Sequence, residues 1–225
     1  MFKPILVTFL FFTNSTVFAG IEKPWEFVKL TKDGVKAEKM EVPGSSVLAF
    51  RGEGDVDAPL TKVATIIFDT KRAPEWIEDL VSSKIVRWLS SDEWVEYDHV
   101  ATPPIIMKDR DFVSKVKLTI DAKTKSIKFL YLNTVDADSP ETKYIRGDLM
   151  NTTFLLTSID GDKRTHVVGE IHCDPKGSVA KWLVNFFQSD WPIDTIRNLR
   201  KQGAKPDIKE DEKILTLFNA ATKAY

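Results

Sequence analysis

The sequence predicts an α+β fold, a strongly curved and mostly antiparallel sheet followed by a long C-terminal helix. Three observations carry that expectation. From Ser83 to Cys173 short alternating runs follow one another, separated by tight polar turns. After Pro175-Lys176-Gly177, the residues Val179, Trp182, Leu183, Phe186 and Phe187 recur at helical spacing and form one wide apolar stripe. Between Pro103 and Val113 (PPIIMKDRDFV), three bulky apolar residues, Ile105, Ile106 and Met107, stand together just before a charged turn. On a soluble protein such a cluster marks a contact surface or tucks into the core. A cavity with an apolar lip and an apolar lid fits these features better than a catalytic centre does.

The elements follow in order. Met1 to Ala19 has an early Lys3, an apolar run from Ile5 to Phe12, and small residues before the end of Val17-Phe18-Ala19. That is the layout of a secretory signal peptide, and the run is too short to span a bilayer. Residues 1–19 are therefore set apart from the fold, and a periplasmic or secreted location is expected. Ile21 to Leu30 reads as a short helix anchored by Trp25, Phe27, Val28 and Leu30. Val35 to Val42 and Ser46 to Val56 read as strands about the Pro43-Gly44 turn. Asp57, with Pro59 just behind it, predicts a helix to about Phe68, and Thr70 predicts the cap of a second short one.

Strands are expected over Ser83–Leu89, Glu93–Val100, Asp111–Ile120, Ser126–Leu132, Tyr144–Ile159 and Arg164–Cys173, about eight in all. Asp160-Gly161-Asp162 is a strong hairpin turn. Ser178 should cap the long helix, and Pro192 should kink it or divide it in two near Trp191. Ile193, Ile196 and Leu199 continue its apolar face until Gly203 to Pro206 end it. Residues 20–205 are read as one domain, and residues 206–225 as a weakly helical tail, either docked or mobile.

Composition narrows function. The 225 residues are 43% hydrophobic and 29% charged with a formal net charge of −1, an ordinary globular balance. Nucleic acid is an unsuitable partner, because phosphate binding needs a concentrated basic surface. Cys173 is the single cysteine, so the chain forms no internal disulfide and a small buried thiol is expected.

The order of elements and five local motifs together resemble the START domain, the steroidogenic acute regulatory protein-related lipid-transfer family. The motifs are WEFVKL at Trp25, FRGEGDVDAPLTKV at Phe50, PEWI with Trp76, DRDFV at Asp109 and PKGSVAKWLVNFF at Pro175. The similarity spans about Trp25 to Gln202. It implies a helix-grip fold, in which the sheet wraps the C-terminal helix around an apolar tunnel holding one lipid, with no cofactor and no metal. It also implies that the loop from Ala101 to Asp109 lies at the tunnel mouth and makes transient membrane contact through Ile105, Ile106 and Met107. The protein is then a monomeric, non-catalytic carrier. The chain departs from the family's sterol-carrying branch, which resembles a pocket with a buried acid–arginine pair. Val116 occupies the arginine position and Tyr97 the acid position. That puts cholesterol in doubt and leaves a fatty acid, a phospholipid or an isoprenoid-type lipid.

Strand parity assigns the tunnel wall. Lys115 and Lys117 should face solvent, which turns Phe112, Ser114 and Val116 inward with Arg110 at the mouth. Ile127, Phe129 and Tyr131 follow, then Val167, Gly169, Ile171 and Cys173. His99 shares parity with Tyr97 and is expected inside with it. Trp182, Leu183, Phe186 and Phe187 supply the lid. About half of these are expected only to pack helix on sheet. Asp109 and Asp111 are expected to pair locally with Arg110. His166, Glu170 and His172 share one strand face, but their alternation with apolar residues argues for a solvated face over a metal site. No nucleophile elbow, phosphate loop or His-Glu-x-x-His motif is present in the sequence. The alternative is a helix-grip enzyme, cyclase- or hydroxylase-like, and after it a protein-binding module. The enzyme would need polar groups converging inside the tunnel.

Overall fold

The computed structural model describes residues 24–102, 108–180, 184–185 and 189–223. Alternation along the chain builds a ten-stranded sheet: β1 (Glu26–Leu30), β2 (Lys36–Met40), β3 (Ala49–Val56), β4 (Leu80–Trp88), β5 (Glu93–Val100), β6 (Arg110–Asp121), β7 (Ser126–Asn133), β8 (Ile145–Arg146), β9 (Asp148–Ile159) and β10 (Arg164–Asp174). The order across the sheet is β1-β2-β3-β10-β9-β7-β6-β5-β4, antiparallel along that path, with the two-residue β8 added parallel to β6. Helix α1 (Leu60–Phe68) follows β3, a single 3-10 turn (Ala73–Glu75) precedes β4, and helices α2 (Trp191–Gly203) and α3 (Glu212–Lys223) close the chain.

Helix α2 crosses the inner face of β3, where two glycines make room. A Cβ on Gly52 would stand 2.5 Å from the Pro192 carbonyl oxygen, and one on Gly54 would stand 3.0 Å from Ile196. Ile193, Ile196 and Leu199 fill the space between helix and sheet and are at most 3% exposed. At the other end α1 packs over Trp94, with Phe68 edge-on to it at 5.5 Å, and Trp94 in turn meets Phe129 at 6.4 Å. Rings in this edge-to-face arrangement attract one another beyond their buried area. The tail docks: Ile214 of α3 is 1% exposed and Lys213 lies 3.7 Å above the Trp88 ring.

Several elements differ from the expectation. Glu26–Leu30 is a strand paired with β2, Glu26 opposite Lys39 and Leu30 opposite Lys36, rather than part of a helix. Five residues, two of them charged, cannot separate the two periods, and the free edge of β2 decides. Pro59, not Asp57, precedes α1, without a side-chain cap, and Asp57 instead accepts from Arg164 at 2.7 Å. Thr70 caps no helix, since the 3-10 turn begins after Arg72. The strand expected over Tyr144–Ile159 breaks at Gly147, where a Cβ would meet the Phe112 ring at 2.4 Å. Ser178 to Ala180 are non-helical, so Ser178 does not cap the helix. The division expected near Trp191 is made, by contrast: α2 begins at Trp191 with Pro192 in its first turn, where the missing N–H costs nothing.

Candidate functional site

Between the sheet and the helices lies one predominantly apolar cavity of about 270 Å³. That is just below the roughly 300–1,000 Å³ usual for small-molecule sites. Its roof comes from Ile67 and Thr70 at the end of α1, Trp76 and Ile77 beyond the 3-10 turn, and Trp191 and Thr195 of α2. Its floor comes from Phe112 on β6, Tyr131 on β7, Leu149, Thr152 and Phe154 on β9, and Ile171 and Cys173 on β10. Phe154 links the two sides, 6.1 Å from Trp76, 6.3 Å from Tyr131 and 6.0 Å from Trp191 between ring centres.

Of the expected wall, Arg110, Phe112, Tyr131, Ile171 and Cys173 line the cavity. Val116 and Phe129 are fully buried but belong to the packed core, because Trp94, opposite Val116 on β5, fills that end of the sheet. Ser114 is also fully buried, and its hydroxyl has no hydrogen-bond partner among the described residues. Burial of the Cys173 thiol pushes its pKa up to about 12, so it stays protonated as the small hydrophobe expected. Ile105, Ile106, Met107, Trp182, Leu183, Phe186 and Phe187 lie outside the described residues.

Tyr97 and His99 are the error of parity. Directly opposed residues of an antiparallel pair face the same side. Asp98 is opposite Phe112 and Glu96 opposite Ser114, so the inward positions of β5 are Glu96 and Asp98. Tyr97 faces the other side and donates to Asp111 Oδ2 at 3.3 Å. His99 stacks on Tyr144 at 4.1 Å and its Nε2 lies 2.8 Å from Asp109 Oδ2.

Two acids inside an apolar cavity were not legible from composition or motif. Glu96 is 6% exposed; Trp94 Nε1 donates to its Oε2 at 2.8 Å, and Ser83 Oγ to its Oε1 at 3.4 Å. Burial, then the charge of Asp98, pushes Glu96 up to about 8. Burial likewise pushes Asp98 up to about 6, against a hydrogen bond from Ser83. The Tyr131 phenol, deeply buried and facing both acids, is held well above its usual range. At neutral pH the pair therefore holds about one proton, on Glu96, because burial penalises both charges and the charge of Asp98 adds to the penalty on Glu96.

Arg110 stands apart from that pair. It is 3% exposed, and its guanidinium donates to the carbonyls of Pro175 (3.1 Å), Lys176 (3.3 Å) and Lys108. It thus ties the start of β6 to the segment after β10. The local pairing expected with Asp109 and Asp111 is not made. Asp111, completely buried, accepts from Arg146 Nε at 2.8 Å and Nη2 at 3.1 Å and from Thr142 at 2.8 Å. Burial raises its pKa, but those bonds outweigh burial and hold it low. On the outer face His166 meets Asp55 at 2.7 Å, Glu170 faces Arg51 at 3.7 Å, and His172 Nε2 lies 3.1 Å from Ser45 Oγ. These three are separate polar contacts.

The family model described as the START domain matches residues 19–205. An uncharacterised protein of Pseudomonas aeruginosa is 27% identical over 188 residues, covering 83% of this chain and 90% of its own. Human StAR-related lipid transfer protein 5 superposes with a TM-score of 0.73 at 18% identity, covering 79% of this chain and 85% of that one. A STAR-related lipid transfer protein fragment from Xanthomonas axonopodis superposes at 0.70 with 22% identity, covering 80% and 99%.

Proposed function

Because this chain belongs to the START domain family, we propose that its cavity holds one lipid and that the protein carries or presents it between membranes. The observation that supports this is the cavity itself, lined chiefly by Phe112, Leu149, Phe154, Ile171, Ile77 and Trp191 and roofed by helices. Each methylene moved from water into it contributes roughly 0.8 kcal/mol. An acyl or isoprenoid chain of modest length is thus retained without a charged contact. Human StAR-related lipid transfer protein 5 and the Xanthomonas STAR-related lipid transfer protein, which share this fold, are both named for such a role.

Two parts of the reading rest on sequence. The leader-like residues 1–19 support export to the periplasm or beyond, and the run Ile105-Ile106-Met107 supports transient contact with a bilayer. Replacing Ile105 and Ile106 with Asp should slow lipid transfer between donor and acceptor vesicles at least severalfold while leaving bound lipid in place. Unchanged transfer removes the membrane contact from the account.

The test of the main reading is native mass spectrometry of the protein purified without detergent, followed by denaturing lipid extraction. One adduct per chain that extracts as a lipid is expected. A protein that is empty and takes up no lipid from vesicles contradicts it. A second reading has a specific observation in its favour: Glu96, Asp98, Tyr131 and Thr152 supply the converging polar groups that a tunnel enzyme needs. A carrier returns its lipid chemically unchanged after prolonged incubation, and an enzyme returns a product of altered mass.

A further inference from the structure

The cavity carries two acids on its polar wall, and among the described residues no positive group acts on either of them. Glu96 and Asp98 stand two positions apart on β5, with Ser83 of β4 and Trp94 of β5 donating hydrogen bonds to them and the Tyr131 phenol of β7 raised by their charges. All three of those neighbours are neutral. Arg110, on the same cavity wall, spends its donors on the three backbone carbonyls, and Glu78 adds a further acid at the exposed rim. The Cys173 thiol stays neutral. A second, independent observation lies across the sheet. Thr152, opposite Tyr131, is 5% exposed and lines the cavity, and its Oγ1 has no hydrogen-bond partner among the described residues. A buried hydroxyl without a partner costs free energy unless a ligand satisfies it.

We propose that this wall receives the protonated amine of an amphiphile, with the nitrogen against Asp98, Glu96 and Thr152 and the chain along Phe112, Leu149 and Ile171. The inference rests on the lipid-binding reading and names the head group. An ammonium offers three donors and one positive charge, and this wall offers two carboxyl groups and an unused hydroxyl oxygen. Burying a carboxylate without a countercharge is expensive, and a ligand cation removes that penalty. An alcohol of the same chain length supplies hydrogen bonds but no charge, and a fatty acid adds a third carboxylate beside two.

Displacement of a fluorescent lipid probe by dodecylamine, dodecanol and dodecanoate tests this. At pH 8 dodecylamine should compete at least tenfold better than dodecanol, and dodecanoate worse than either. The margin should shrink as pH falls below about 6, where Asp98 takes up its proton and the pair becomes neutral. In Asp98→Asn with Glu96→Gln the margin should vanish while dodecanol binding persists, which shows that the variant still folds and binds. Equal competition by amine and alcohol, or a margin that survives in the double variant, overturns the amine site and leaves the lipid cavity standing. Failure of all three to compete overturns both.

Discussion

Glu96 holds its proton into the neutral range because burial beside Asp98 penalises the charged form. In the unfolded chain the same group titrates near 4.5. Below that pH both states are protonated and the residue costs nothing. As pH rises towards about 8 the unfolded state alone releases the proton, so folding stability falls across that window. Glu96→Gln should remove the effect. Urea midpoints of variant and native protein should agree near pH 4 and diverge in the variant's favour by pH 8, and a gap that does not change with pH would contradict the assignment. Asp111 is the opposite case, a buried carboxylate held charged by Arg146. Arg146→Ala should destabilise by about 3 kcal/mol in urea unfolding, the low end for breaking a buried pair because Arg146 keeps some solvent contact. A loss under 1 kcal/mol would show that the pair is solvated. At this scale the sequence was read correctly on β6, where exposed Lys115 and half-exposed Lys117 set the parity of Phe112. It was misread on β5. The charge pattern there points the wrong way, since it assigns the acids Glu96 and Asp98 to solvent and Tyr97 and His99 to the inside, and the nine residues between the strands leave the register open. Opposing Asp98 to the inward Phe112 is the step that resolves it.

Elements were legible where a turn or a long period marked them. β5 falls at its expected ends and the Asp160-Gly161 hairpin takes the positive φ that its residues suggest. The misread elements were short or decided by partners: β1 exists because β2 offers an edge, and β9 begins only after Gly147 because Phe112 needs the space there. The same logic gives a test for the grip of α2 on the sheet. Gly52→Ala places a methyl where the Pro192 backbone already lies, and backbone cannot swing aside as a flexible side chain does. Overpacking of this kind costs about 1–3 kcal/mol. Thermal unfolding should show that loss, and a variant as stable as the native protein would mean that α2 slides freely over β3.

For the whole molecule, the central claim is that a lipid sits inside this sheet-and-helix cavity rather than on the surface. Sequence alone reached the cavity through the family's motifs and through the inward parity of β6, β7 and β10. It did not reach the acids at its inner wall, which no hydrophobic pattern announces. The direct measurement is titration of the protein with a fluorescent lipid, native against Ile171→Trp. Ile171 lines the floor between Thr152 and Phe50 across the strands, so an indole there occupies the space a chain would take. The account predicts saturation at one lipid per native chain and at least a tenfold loss of affinity in the variant, with its unfolding transition still cooperative. Equal affinity in a folded Ile171→Trp protein would place the lipid elsewhere and contradict the account.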